Sequence, residues 1–202
     1  MGRRDKKFKR LMKCLLPQVK GKPVEIVAFW NNGECTIGDI RQALLDDAKG
    51  EYVCFVDDDD MVPEYYVEEI LKNLGEDYVG FRVEFYNDGN LKPPVYHSIK
   101  YPNWFEAYDG YYRNITHLNP IKREIALQGS FGSKDLGEDA NWAESVASLV
   151  KTENYIDRIM YYYYHESMDT NFGSNYTMPY QKKFMKPNFN NKEFRYHPGS
   201  KT

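Results

Sequence analysis

Tyr52-Val53-Cys54-Phe55-Val56-Asp57-Asp58-Asp59-Asp60 decides how this chain is read. A short run without charge, 52–56, passes directly into four consecutive carboxylates. Continuous apolar runs of this length mark strands covered on both faces, so the segment is expected to lie centrally in a sheet. Adjacent carboxylates repel one another, and burying even two of them without a cation costs on the order of several kcal/mol. Side chains two apart on an extended backbone point the same way, so Asp57 and Asp59 can face one ligand while Asp58 is directed elsewhere. Mg2+ or Mn2+ suits such oxygen donors and completes its shell with waters and substrate phosphates. Taken alone, the segment is also compatible with a solvated acidic turn. A calcium loop fits less well, because its glycine and terminal glutamate are missing.

Upstream, Ile40, Ala43, Leu44 and Ala48 predict a helix over 40–48 that Gly50 can end at its left-handed position. Before it, a β-branched run over 24–29 leaves into the turn Asn31-Asn32-Gly33. Phe8, Leu11, Met12, Leu15 and Leu16 recur at helical spacing, with Pro17 near the end of the pattern. Downstream, Val67, Ile70, Leu71 and Leu74 predict a helix, and 78–86 alternates like a strand before the turn Asn87-Asp88-Gly89. Short and longer helices are expected near 122–127 and 138–150, and a strand at 159–164. The alternation of helix and strand predicts a single α/β domain with a mainly parallel central sheet flanked by helices, over 1–167. Residues 168–202 lack periodicity and read as a loop-rich tail. In such folds ligands bind at the carboxyl ends of strands, which places the Asn32-Gly33 turn and the aspartates on one edge.

Composition narrows the class. At 202 residues, 42% hydrophobic and 28% charged, the chain can bury one core and is neither disordered nor membrane-spanning by pattern. No apolar run approaches the roughly 20 residues a bilayer span needs, and the basic start has no apolar segment behind it, so a cytoplasmic protein is expected. Cys14, Cys35 and Cys54 are odd in number and form no C-x-x-C pair, which fits structural thiols. A net charge of −3 argues against nucleic acid as a partner. The six Lys and Arg among the first ten residues read first as a solvated helix face.

The stretch Asn31-Asn32-Gly33, Thr36, Gly38, Arg41, then Ala48-Lys49-Gly50-Glu51-Tyr52 running into Phe55-Val56-Asp57-Asp58-Asp59-Asp60 resembles the nucleotide-binding half of family 2 glycosyltransferases of the A-type fold. A second match, Gly137-Glu138-Asp139 with Trp142 and Ala143, is similar to that family's acceptor-side motif. The resemblance covers roughly residues 8 to 165. It implies an inverting transfer from a nucleotide-diphosphate sugar to a glycan or other hydroxyl acceptor, with Mn2+ or Mg2+. Asp59 would be the main metal ligand and Asp57 would lie near the metal and the ribose or sugar, with Asn32, Gly38, Arg41 and Asp58 on the donor side. His165 stands where some related transferases complete the metal shell. Members of the family usually begin with an apolar strand that helps seat the nucleotide base, and the expected fold lacks it here.

The residues argue for the same chemistry. Breaking the bond between an anomeric carbon and a diphosphate builds negative charge on the leaving group, which a cation at Asp59 offsets. The acceptor hydroxyl must lose a proton, for which Asp139 is the candidate base, with Glu138 beside it orienting the acceptor. The same pair also reads as helix capping, worth about 0.3 to 1 kcal/mol in a first turn. His117 reads either as a contact to diphosphate or acceptor or as a loop histidine with a structural hydrogen bond. Trp104, Trp142 and the tyrosines can stack on sugar faces, though large aromatics usually belong to cores. Two other classes compete. A phosphatase of the haloacid dehalogenase type also has an Asp-x-Asp pair after a strand, but Met61 stands where its Thr or Val belongs. A non-catalytic nucleotide-sugar-binding scaffold would bind a donor without turnover.

Overall fold

A computed structural model describes residues 3–31, 33–166 and 193–196. Its first element, α1 (Arg3–Val19), buries Leu11, Met12, Leu15 and Val19 on one face. Pro17 does not stop it. In the last turn its ring removes one backbone bond without breaking the helix, which runs on to Val19. After β1 (Ile26–Phe29), α2 (Ile37–Asp47) opens on Thr36, whose hydroxyl accepts from the Asp39 N–H. The helix ends at Ala48 in an extended conformation (φ −59°, ψ 143°), so Gly50 is not the left-handed cap expected of it.

The acidic segment follows β2 (Tyr52–Val53), and α3 (Tyr66–Lys72) leads to the long β3 (Tyr78–Asn87). The predicted turn closes a hairpin to β4 (Asn90–Leu91), with Asp88 at φ 50° and Gly89 at φ 76°, the positive angles a two-residue hairpin loop needs. Then come β5 (Val95–His97), β6 (Phe105–Ala107), β7 (Gly110–Arg113), β8 (Ile121–Lys122), α4 (Arg123–Ala126), α5 (Glu138–Ala147), β9 (Glu153–His165) and β10 (Glu193–Tyr196).

The fold is a single mixed α/β domain, and the sheet corrects the expectation of mainly parallel strands. Its order is β2-β8-β3-β5-β7-β6, with β9 and β4 also on β3. Among the described residues only β3–β9 and β5–β7 are parallel. Parallel neighbours need a crossover of about a dozen residues or more, whereas β3–β4 and β6–β7 are joined by tight turns and become antiparallel. Tyr52–Val53 is also not central: it ends the order, paired antiparallel to β8. β1 stands apart in a two-stranded antiparallel sheet with β10. β10 falls inside the segment 168–202 that reads as a loop-rich tail. The remainder of 168–202 and the boundary at residue 167 lie outside the described residues.

Two cores form. Leu11, Leu15 and Val19 join Val67, Ile70, Val79, Phe81 and Val83. Leu45 joins Tyr78, Ile121, Phe131, Trp142 and Val146. Tyr78 and Val79 are neighbours in β3 and point to opposite faces, so this strand divides the two. No disulfide joins Cys14, Cys35 or Cys54. Among the described residues no helix is long and apolar enough to cross a membrane.

Candidate active site

Beyond β2 the chain runs on to Asp57, held by Phe55 N–H to His117 O at 2.9 Å. It then turns, with Asp60 N–H on Asp57 O at 3.1 Å. The four aspartates have different fates. Asp60 is buried; it accepts from the Tyr161 hydroxyl and the Tyr164 N–H, each at 2.8 Å. Burial, with Asp57 and Asp59 nearby, raises its pKa to about 7 despite those donors. Tyr161 Oη also accepts from Asp57 N–H at 3.0 Å, so a single phenol on β9 ties both ends of the turn. Asp58 and Asp59 are half-buried.

Asp57 faces a pocket of about 400 Å3 shared with Arg41, His117, Glu138 and Asp139. Arg41, on α2, joins two distant segments: Nη2 reaches Asp57 at 2.8 Å and Nη1 reaches Glu138 at 2.7 Å. His117 lies between Asp57 and Asp139, with Nε2 3.7 Å from the first and Nδ1 3.7 Å from the second. Both distances exceed a direct hydrogen bond, and neither ring nitrogen has a hydrogen-bond partner although both are buried. Burial alone would raise the Asp57 pKa, but His117 and Arg41 outweigh it and hold the carboxyl well below the usual range. It is therefore an anion at neutral pH.

The loop that carries His117 is built on Asn119. Its amide donates to Val79 O at 2.9 Å, which turns Oδ1 toward Thr116 (2.6 Å) and His97 Nδ1 (2.7 Å). Oδ1 can only accept, so His97 must carry its proton on Nδ1. On the opposite wall, α5 opens at Gly137 with φ 70° and no side-chain cap. That leaves Glu138 directed inward to Arg41 and Asp139 to His117; Asp139 also accepts from the Ala140 N–H at 2.8 Å.

Several site residues read from the sequence come together here: Arg41, Asp57, Glu138 and Asp139 line one pocket. Glu138 is buried and ion-paired to Arg41 while lining the same pocket. Gly38 packs away from the pocket. It donates to Lys134 O, and a Cβ there would meet Gly132 O, so the residue lets α2 begin against that loop. Asn32 lies outside the described residues, and Asn31 caps the neighbouring turn by accepting from Glu34 and Cys35 N–H. Asp57, Asp59 and His165 do not converge into a ready-made metal cage; among the described residues no such group of three exists. His165 contacts Asn87 Oδ1 at 2.8 Å instead. Asp57 and Asp59 nevertheless fit Mg2+ or Mn2+ by donor type, as ionisable oxygen ligands whose shell substrate phosphates would complete. Nothing local in the sequence marks Tyr161 within Tyr161-Tyr162-Tyr163-Tyr164, or decides between the two readings of the loop residue His117.

A second hollow, of about 430 Å3, is lined by Lys49, Glu51, Lys122 and Arg123. It lies at the other end of β2 from the aspartates.

A family model described as Glycosyl transferase family 2 matches residues 10–129, more than half of the chain. Among solved structures, the crystal structure of S. aureus TarS 1-349 superposes with a TM-score of 0.50 at 15% identity, covering 67% of this chain and 42% of that one. At that identity the likeness concerns the fold, and the chain spans less than half the length of its neighbour. No curated protein matches.

Proposed function

Since the chain belongs to glycosyl transferase family 2, we propose that it transfers a sugar from a nucleotide-diphosphate donor to an acceptor hydroxyl with inversion, assisted by Mn2+ or Mg2+. The observation that carries the proposal is the convergence of the strand-end Asp57 and the helix-start Glu138-Asp139 on one pocket, through Arg41 and His117. The segments are some 80 residues apart in sequence. A two-sided site is what displacement at an anomeric carbon requires.

Asp57 and Asp59 are the residues that would hold the divalent cation, which supplies Lewis-acid neutralisation of the departing diphosphate. Asp57 is kept ionised for that task by Arg41 and His117. Glu138 acts through Arg41, fixing its guanidinium beside Asp57. On the far wall Asp139 accepts the proton of the acceptor hydroxyl. The acceptor oxygen then forms its bond to the anomeric carbon, and the carbon–oxygen bond to the diphosphate breaks with its electron pair on the leaving group.

The test is calorimetry of UDP and GDP with and without MnCl2. Wild type should bind at least one of them only with the metal, and Asp59→Ala should lose that binding while keeping its circular dichroism. Metal-dependent binding that survives undiminished in Asp59→Ala sinks the assignment. Release of free sugar or its transfer by wild type separates an enzyme from a scaffold that only binds.

A further inference from the structure

The pocket continues past Asp139 along a wall that the donor chemistry does not use. Strand register aligns it: Tyr161, Val83, Val95, Tyr111 and Glu106 are successive cross-strand partners over β9, β3, β5, β7 and β6. Partners in register point to one face, so this row and its neighbours two residues along form a continuous floor. Tyr163 and Phe85 make the next pair, with rings 5.2 Å apart, and Phe85 meets Tyr111 edge-on at 5.7 Å. At the far side the Arg113 guanidinium lies 5.3 Å over Trp104. Trp104 and Tyr163 are each 37% exposed, so part of each ring is open to solvent although both line the pocket.

We infer that this wall is a subsite for a neutral sugar ring of the acceptor, with Trp104 and Tyr163 as stacking surfaces and the Glu106–Arg113 pair as its hydrogen-bonding edge. The inference rests on the transferase reading for the word acceptor; the sugar specificity stands on the wall itself. A pyranose presents an apolar C–H face and a rim of hydroxyls. Flat aromatic surfaces beside a few polar groups match both, and the pocket's size suits a small ring. Charge decides between a neutral and an anionic acceptor. Among the described residues lining the pocket, Arg41 is committed to Asp57 and Glu138. Arg113 is committed to Glu106 at 3.6 Å and to the carbonyls of Phe105 and Tyr112. The Arg113 charge is already offset by Glu106, so a phosphate or carboxylate would gain little net attraction there and would approach Glu106 and Asp139. Neutral hydroxyls can accept from Arg113 and donate to Glu106 without breaking their pairing.

The test uses the full chain and saturation-transfer NMR with maltose, cellobiose, lactose and, as an anionic comparator, glycerol 3-phosphate. At least one disaccharide should receive saturation on the C–H protons of one ring face, and glycerol 3-phosphate should receive none. Trp104→Ala and Tyr163→Ala should each weaken the saccharide about five- to tenfold, the range expected for a stacking contact. Because the Trp104 indole also donates to Ile115 O at 3.0 Å, the exposed Glu106→Gln is the third variant and should weaken binding without touching that bond. The inference is overturned if no disaccharide binds, if glycerol 3-phosphate binds in preference, or if folded variants bind as wild type does. UDP and GDP calorimetry with MnCl2 runs beside it. Saccharide binding through Trp104 without metal-dependent nucleotide binding would bring down the transferase reading and leave the sugar subsite standing. Nucleotide binding without any saccharide would do the reverse.

Discussion

Replacing Arg41 by Met removes a side chain that joins α2, the aspartate turn and the start of α5. Its two arms are unequal. Arg41 and Glu138 are only 11% and 7% exposed, so the substitution strands a buried carboxylate, and breaking such a pair costs about 3 to 5 kcal/mol. Asp57 is 33% exposed and faces the pocket, so water takes over much of its pairing and that arm adds at most about 1 kcal/mol. In a domain of this size each kcal/mol moves the melting temperature by about 2 to 4 °C, so Arg41→Met should melt roughly 6 to 24 °C below wild type. Glu138→Gln on its own leaves Arg41 half-paired and should also destabilise. The double variant should recover part of the loss, because no buried charge is left alone. Urea unfolding of the four proteins closes the cycle, with an expected coupling of about 2 to 3 kcal/mol. Single variants that each cost under about 1 kcal/mol, with effects that simply add, would show that the bridge organises nothing and that the two motifs are held together elsewhere.

Asp139→Asn keeps the size of the side chain and its bond from Ala140 N–H but removes the proton acceptor. Transfer should fall about 10²- to 10⁴-fold while donor affinity hardly changes, and a variant turning over near the wild-type rate would eliminate Asp139 as the base. Buried His97 supplies a pH test. Burial pulls its pKa down to about 3, with Arg113 and His117 adding to the effect and the Asn119 hydrogen bond opposing it. The folded pKa lies below the unfolded value, so this contribution is complete above about pH 6.5 and is lost as pH falls. Stability should drop by roughly 2 kcal/mol between pH 6.5 and 5 from this residue. Denaturant titrations of wild type and His97→Gln over that interval should differ in slope by about that amount, and parallel curves would refute the assignment.

Much of this protein was legible along the chain, and the legible parts share a cause. Helical spacing in 8–16, the turn Asn87-Asp88-Gly89 and the acidic end of 52–60 are local signals, set by side-chain periodicity, by glycine's access to positive φ and by carboxylate repulsion. The two motifs could likewise be matched to a family because each is contiguous. Sheet direction was not legible. It depends on whether strands are joined by a crossover or a tight turn, and past residue 90 short strands of Tyr, Phe and Val carry no mark of their partner. The same limit applies to the site. Asp57 and Glu138-Asp139 were identifiable as carboxylates with chemistry to do, but that Glu138 pairs with Arg41 follows from how α2 and α5 pack. That Tyr161, out of four consecutive tyrosines, ties Asp57 to Asp60 follows from the register of β9 on β3. Sequence alone determined which groups can take part, since that is a property of the side chain and its neighbours. Tertiary structure alone decided which of them meet, because a contact across some 80 residues is set by the packing of whole elements and leaves no trace in the order of residues around either end.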